Sequence, residues 1–221
     1  MYCETGHPWL FMAEPVNTIT NAFIILAAIL AFRQVRNARI GWPADIVILL
    51  FLLFATGIGS FAWHAFRTRV ALAFDAIPGL LFLFVFTGVW IGRLFGRWAG
   101  ILGAFGLLIA AFGSMYLTFT FYPGIRAYQP AISLAPAYAT ISVIGSFLVW
   151  MTVRKIGWTS AQIVSLALVC AIFAAICRSV DLMMCSIVPF GTHFAWHILL
   201  STAAYLAIVF LIRQRTRLRN S

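Results

Sequence analysis

The chain has 221 residues, of which 63% are hydrophobic and only 9% charged. That composition excludes a water-soluble domain and describes membrane spans joined by short loops. The formal net charge of +10 would suit nucleic acid, but its placement between apolar runs argues for membrane topology, so no nucleic-acid partner is expected.

Taken in order, seven apolar runs of roughly 18–24 residues are each long enough for a helix to cross about 30 Å of hydrocarbon. They cover residues 14–32, 44–66, 70–91, 99–121, 131–153, 161–180 and 191–212. The predicted fold is an all-α membrane protein, a seven-transmembrane helix bundle formed as one domain over residues 1–221. Tyr122-Pro123-Gly124 fits a kink inside one segment as well as a turn between two. No internal repeat or low-complexity tract interrupts the pattern.

Eleven of the fifteen cationic side chains fall in alternate loops and the tail: Arg33, Arg36, Arg39, Arg93, Arg97, Arg154, Lys155, Arg213, Arg215, Arg217 and Arg219. By the positive-inside rule those segments are cytoplasmic, which puts the C-terminus in the cytoplasm and the N-terminus outside. The tail reads as an anchor at anionic headgroups. Residues 1–9 carry no basic residue, and no small-residue cleavage site precedes the first run, which predicts a retained signal anchor. Short loops and a compact basic chain suggest a bacterial inner membrane with a periplasmic N-terminus; an organelle membrane with a lumenal one fits the charges equally.

Ionisable side chains at membrane depth are costly and need a partner or a task. Under this topology Glu14, Asp75, Asp181, His64, His193 and His197 all fall at the outer ends of their spans. His193 and His197 are four apart, so on a helix their imidazoles face the same way. Ser60 precedes His64 by four residues on the same face, and Gly57 and Gly59 in that stretch let a neighbouring helix approach closely. Three histidines are the usual protein ligands of a catalytic zinc, with the fourth position left for water. A carboxylate can take a proton from that water and a serine hydroxyl can donate to a developing oxyanion. Each residue also has a plainer reading. His64 beside Trp63 fits an aromatic belt, Ser60 a small packing residue, and Asp75 a membrane-edge ion pair with Arg67 or Arg69. His7, before Pro8 and Trp9, reads as loop.

Three blocks resemble the alkaline ceramidases, seven-span zinc amidases of the group that also holds the adiponectin-type receptors. They are Cys3-Glu4 with Ala13-Glu14-Pro15-Val16-Asn17-Thr18-Ile19-Thr20-Asn21; Gly59-Ser60 through His64 to Asp75, followed by Pro78; and Asp181 and Cys185 with His193 and Trp196-His197-Ile198-Leu199. The resemblance implies zinc (Zn2+) on His64, His193 and His197, an oxyanion-stabilising Ser60 and a water-activating Asp75. The implied reaction cleaves ceramide or a related lipid amide into a sphingoid base and a fatty acid, with the substrate entering sideways from the bilayer. Asp181 takes a supporting role. The resemblance also implies a disulfide between Cys3 and Cys185, on the side where oxidation is permitted. Cys170 and Cys177 read as buried thiols.

The animal enzymes hold calcium (Ca2+) in an acidic N-terminal segment. Here Glu4 and Glu14 match, but Thr5 and Gly6 stand where Glu and Asn are expected, and the spacing to Glu14 is one residue shorter. Few oxygen ligands remain for an ion that takes six to eight. Glu14 then serves with Asn17 and Asn21 as a polar contact between helices. Two other classes stay open: a seven-span receptor with a structural zinc, and a small transporter relaying protons. Neither oligomeric state nor acyl-chain preference is legible.

Overall fold

The computed structural model describes residues 2–6, 11–124 and 132–220, with side chains through Arg217. His7 and the first residue of the fifth predicted run lie outside them. Eight α-helices occur among the described residues: α1 (Pro15–Thr20), α2 (Ala22–Ala38), α3 (Ala44–Phe66), α4 (Arg69–Phe95), α5 (Arg97–Phe121), α6 (Ala135–Ile156), α7 (Trp158–Val180) and α8 (His193–Asn220). Helices α1 and α2 together form one span broken at Asn21, so the helices make seven membrane crossings. Several run past the predicted ends. Helix α2 continues to Ala38, α4 to Phe95 and α8 to Asn220, because their basic last turns carry the helix beyond the apolar run.

The connections from α2 to α3, α3 to α4, α4 to α5 and α6 to α7 are short and their chemistry is local. Arg39 and Arg67 end α2 and α3 in the left-handed region, at φ 51° and 56°. The Thr68 hydroxyl accepts from the Ala71 N–H and caps α4. Single residues, Gly96 and Gly157, join α4 to α5 and α6 to α7.

Helix α8 is the hub: half of its span is buried, and it packs against α7, α2, α3 and α1. Its Ile208, Phe210, Leu211 and Ile212 meet Val35, Ile46, Leu49, Leu53 and Trp90 in the apolar core. Helix α6 is peripheral, with little of its span buried, and turns Val143, Phe147 and Trp150 outward as lipid-facing helices do.

The two ends of the bundle differ. At the basic end Asp45 accepts from Arg93 and from Arg215, each at 2.9 Å, and Arg93 also donates to the Leu211 carbonyl at 2.8 Å and to Gln214 at 3.0 Å. This clasp satisfies a carboxylate at membrane depth and fastens α3, α4 and α8. At the opposite end the Cys3–Cys185 disulfide, with sulfurs 2.00 Å apart, ties the N-terminal segment to the loop before α8.

The approach of α3 to α4 at that end has a specific cause. Pro78 lies inside α4 and has no N–H to give the Phe74 carbonyl one turn earlier. Gly59 of α3 sits directly against that carbonyl, where any Cβ would run into it. The residues next to these two contact points are Ser60 and Asp75.

Candidate metal centre

His64 comes from the end of α3, and His193 and His197 from the first two turns of α8. One nitrogen of each ring lies within 4.8 Å of those of the other two, and all three residues are buried. Ring centroids are 5.0 Å apart for His64 and His193, 4.8 Å for His64 and His197, and 4.6 Å for His193 and His197. The i, i+4 spacing on α8 produces the last pair, and the packing of α3 against it brings in the third.

Partners outside the triad orient the rings. Glu14 Oε2 lies 2.5 Å from His64 Nδ1, and backbone bonds from Ala13 and Glu14 to the carbonyls of Ala65 and His64 hold it there. Thr20 Oγ1 lies 2.9 Å from His197 Nδ1. The Thr20 hydroxyl donates to the Val16 carbonyl at 2.9 Å, so it accepts from the ring. Both contacts place the proton on Nδ1 and leave Nε2 with its lone pair toward the triad, the arrangement that fixes tautomer and orientation in metal-ligating histidines. His193 Nδ1 is buried and has no hydrogen-bond partner among the described residues.

Asp181 organises the entry to α8. It sits in a one-turn 3-10 helix, Asp181–Met183, and its Oδ1 accepts from the N–H groups of Thr192 and His193 at 2.7 and 2.9 Å. Its Oδ2 accepts from the Cys3 N–H at 3.0 Å. A negative charge is well placed at a helix N-terminus. Gly191, at φ 69°, leaves no room for a Cβ between Asp181 and Cys3.

Ser60 and Asp75 stand on facing helices, each next to the point where Gly59 meets the Phe74 carbonyl. The plainer reading, in which Arg67 pairs with Asp75, gives way to another pairing. Arg67 turns instead to Glu14, 3.1 Å from its Oε1, and stacks over Trp63 with its guanidinium 4.2 Å from the ring centroid. Glu14 also accepts from Asn17 Nδ2 at 3.2 Å. The expected contact between helices is therefore Glu14 to His64; the Asn21 side chain donates instead to the Asn17 carbonyl of its own segment.

A calcium site does not fit this geometry. Both Glu4 oxygens are taken by backbone N–H groups, of Val16 at 2.6 Å and Asn17 at 2.8 Å. Burial pushes the Glu4 carboxyl above its usual range, and those two donors pull it back. Both Glu14 oxygens are committed to His64, Arg67 and Asn17, so a guanidinium supplies the positive charge. Three imidazoles in a buried cluster suit a borderline transition metal such as zinc, whereas calcium takes oxygen.

Sequence reasoning passed over Tyr2, Thr20 and Arg178. Tyr2 stacks on His193 at 4.1 Å between centroids, beneath the guanidinium of Arg178 at 4.5 Å. Thr20 was readable, because Glu14, Asn17, Thr20 and Asn21 recur at helical spacing in an otherwise apolar run. Tyr2 carried no such signal, since its place depends on the disulfide beside it.

A search of curated proteins finds no match. A model of the Ceramidase family matches residues 2–221, essentially the whole chain. Seven membrane-crossing helices, the buried histidine cluster and that match together place the chain in the ceramidase family, hydrolases of lipid amides.

Proposed function

We propose that this protein is a zinc-dependent amidohydrolase of the membrane that cleaves ceramide or a close lipid amide, using water, into a sphingoid base and a free fatty acid. The observation that carries this is the buried triad, with one ring nitrogen from each histidine within 4.8 Å of the others. His64, His193 and His197 would hold the ion, which when bound supplies Lewis acidity toward an amide carbonyl. Glu14 and Thr20 keep two of the rings in the ligating tautomer. Asp75 takes the proton from the attacking water and returns it to the departing amine. Ser60, one turn before His64, donates to the oxygen that gains charge. The α3/α4 contact at Gly59 supports these two roles by holding its neighbours Ser60 and Asp75 on closely packed helices.

Both products retain long chains, and the exposed apolar faces of α4 to α6 support a substrate arriving from the bilayer. The basic end is assigned to the cytoplasm and the disulfide end to the oxidising side. The test is release of fatty acid from ceramide by purified protein with its metal content measured. The wild type is expected to carry about one zinc per chain and to turn over. Zinc-loaded protein that hydrolyses no lipid amide would leave the ion a structural role and defeat the reading.

A further inference from the structure

Arg178, near the end of α7 at the disulfide end, carries a guanidinium that no carboxylate among the described residues answers, and one of its terminal nitrogens is buried. The carboxylates around it are engaged elsewhere. Asp181, three residues on, gives both oxygens to the N–H groups of Cys3, Thr192 and His193. Glu14 is bound to Arg67 and His64. Ion pairs among the described residues do not include Arg178. Its Nη1 is buried without a partner, and its Nη2 makes a single long bond, 3.3 Å to the Tyr2 hydroxyl. Yet its guanidinium lies 4.5 Å over the Tyr2 ring, which in turn stacks on His193, so the group sits one ring away from the histidine triad.

A guanidinium nitrogen buried without a partner is costly, and the planar fork that carries it matches a carboxylate. Tyr2, stacked on His193, holds its hydroxyl at the same spot and can donate a second bond. We propose that Arg178 and Tyr2 form a carboxylate-receiving pair beside the histidine triad. The carboxylate can come from two sources. It is the acid product of amide cleavage, or an acidic group carried on the amine side of the substrate, as in an N-acyl amino acid. The assignment to those sources rests on the proposed hydrolase activity; the recognition of a carboxylate does not.

The binding test therefore uses metal-free, chelator-treated protein in lipid nanodiscs and needs no turnover. Palmitate is expected to bind about tenfold tighter than hexadecanol, the equivalent of one modest charge-assisted hydrogen bond. Arg178→Gln should abolish that preference, Arg178→Lys should keep part of it, and Tyr2→Phe should reduce it. Equal binding of acid and alcohol by the wild type overturns the proposal even if Arg178→Gln does not fold. So does a folded Arg178→Gln that still prefers the acid. A second arm compares kcat/KM for N-palmitoylglycine and C16 ceramide. With the binding preference established, a loss in Arg178→Gln confined to the acylglycine assigns the carboxylate to the substrate, and equal effects on both amides assign it to the product.

Discussion

Glu14 Oε2 meets His64 Nδ1 at 2.5 Å while Oε1 of the same carboxylate meets Arg67 at 3.1 Å. A single side chain thus orients a ring of the triad and neutralises a nearby cation. Glu14→Gln keeps the shape and removes the charge. Zinc affinity is expected to fall about 10–100-fold, the usual cost of losing an outer partner of a ligating histidine. Competition with a chromogenic chelator measures it, and unchanged affinity would show that the carboxylate does not act through His64.

Asp75 lies beside the Gly59 contact and is not among the three residues of the histidine cluster. Asp75→Asn should therefore keep bound zinc at the wild-type level while turnover falls about 10²–10⁴-fold, the range for removing a general base. Metal analysis and fatty-acid release on one preparation separate the two effects. Loss of zinc together with activity would contradict the assigned role.

Gly59→Ala puts a methyl group where the Phe74 carbonyl already stands. Helices α3 and α4 must move apart, at a cost of about 1–3 kcal/mol for an overpacked contact. Because Ser60 and Asp75 flank the contact, activity should fall further than the thermal midpoint alone predicts. Gly106, which has open space around it, is the control: Gly106→Ala should leave both quantities unchanged.

Cys3→Ser frees the segment that carries Tyr2 and the N–H bonded to Asp181. A loss of about 2–5 kcal/mol is expected, typical of removing a native disulfide. Wild-type protein under reducing conditions should show the same drop in thermal midpoint, and Cys170→Ser, which breaks no bridge, should not.

Chelation should lower the thermal midpoint, and zinc but not calcium should restore it. A ligand present at about 100 times its Kd stabilises by about 2.7 kcal/mol. Restoration by calcium would mean that Glu4 and Glu14 release the protein donors they now bind.

Much of this arrangement is legible in the chain. The apolar runs give the seven crossings because membrane depth imposes one length on every helix. The spacing of His193 and His197, and of Ser60 and His64, reads directly as shared faces. The Cys3–Cys185 disulfide follows from resemblance and is present. What spacing does not carry is partner choice among neighbours: Arg67 lies eight residues before Asp75 and takes Glu14, fifty-three residues away in the other direction. Nor does it carry Tyr2, whose ring reaches His193 only after distant cysteines join. The break at Asn21 also escapes the apolar pattern, because α1 and α2 continue one hydrophobic run across a turn that leaves Thr20 facing His197.

The Asp45 clasp fastens the same three helices that carry Ser60, His64, Asp75, His193 and His197, but at the far end of each. Those helices resemble tines joined at the handle: spreading them near the histidines must lever against two arginine bonds to one carboxylate. Helices α5 and α6 carry none of these side chains and lie outside that joint. Under the proposed lipid hydrolysis, a substrate that parts α5 and α6 loads neither arginine bond.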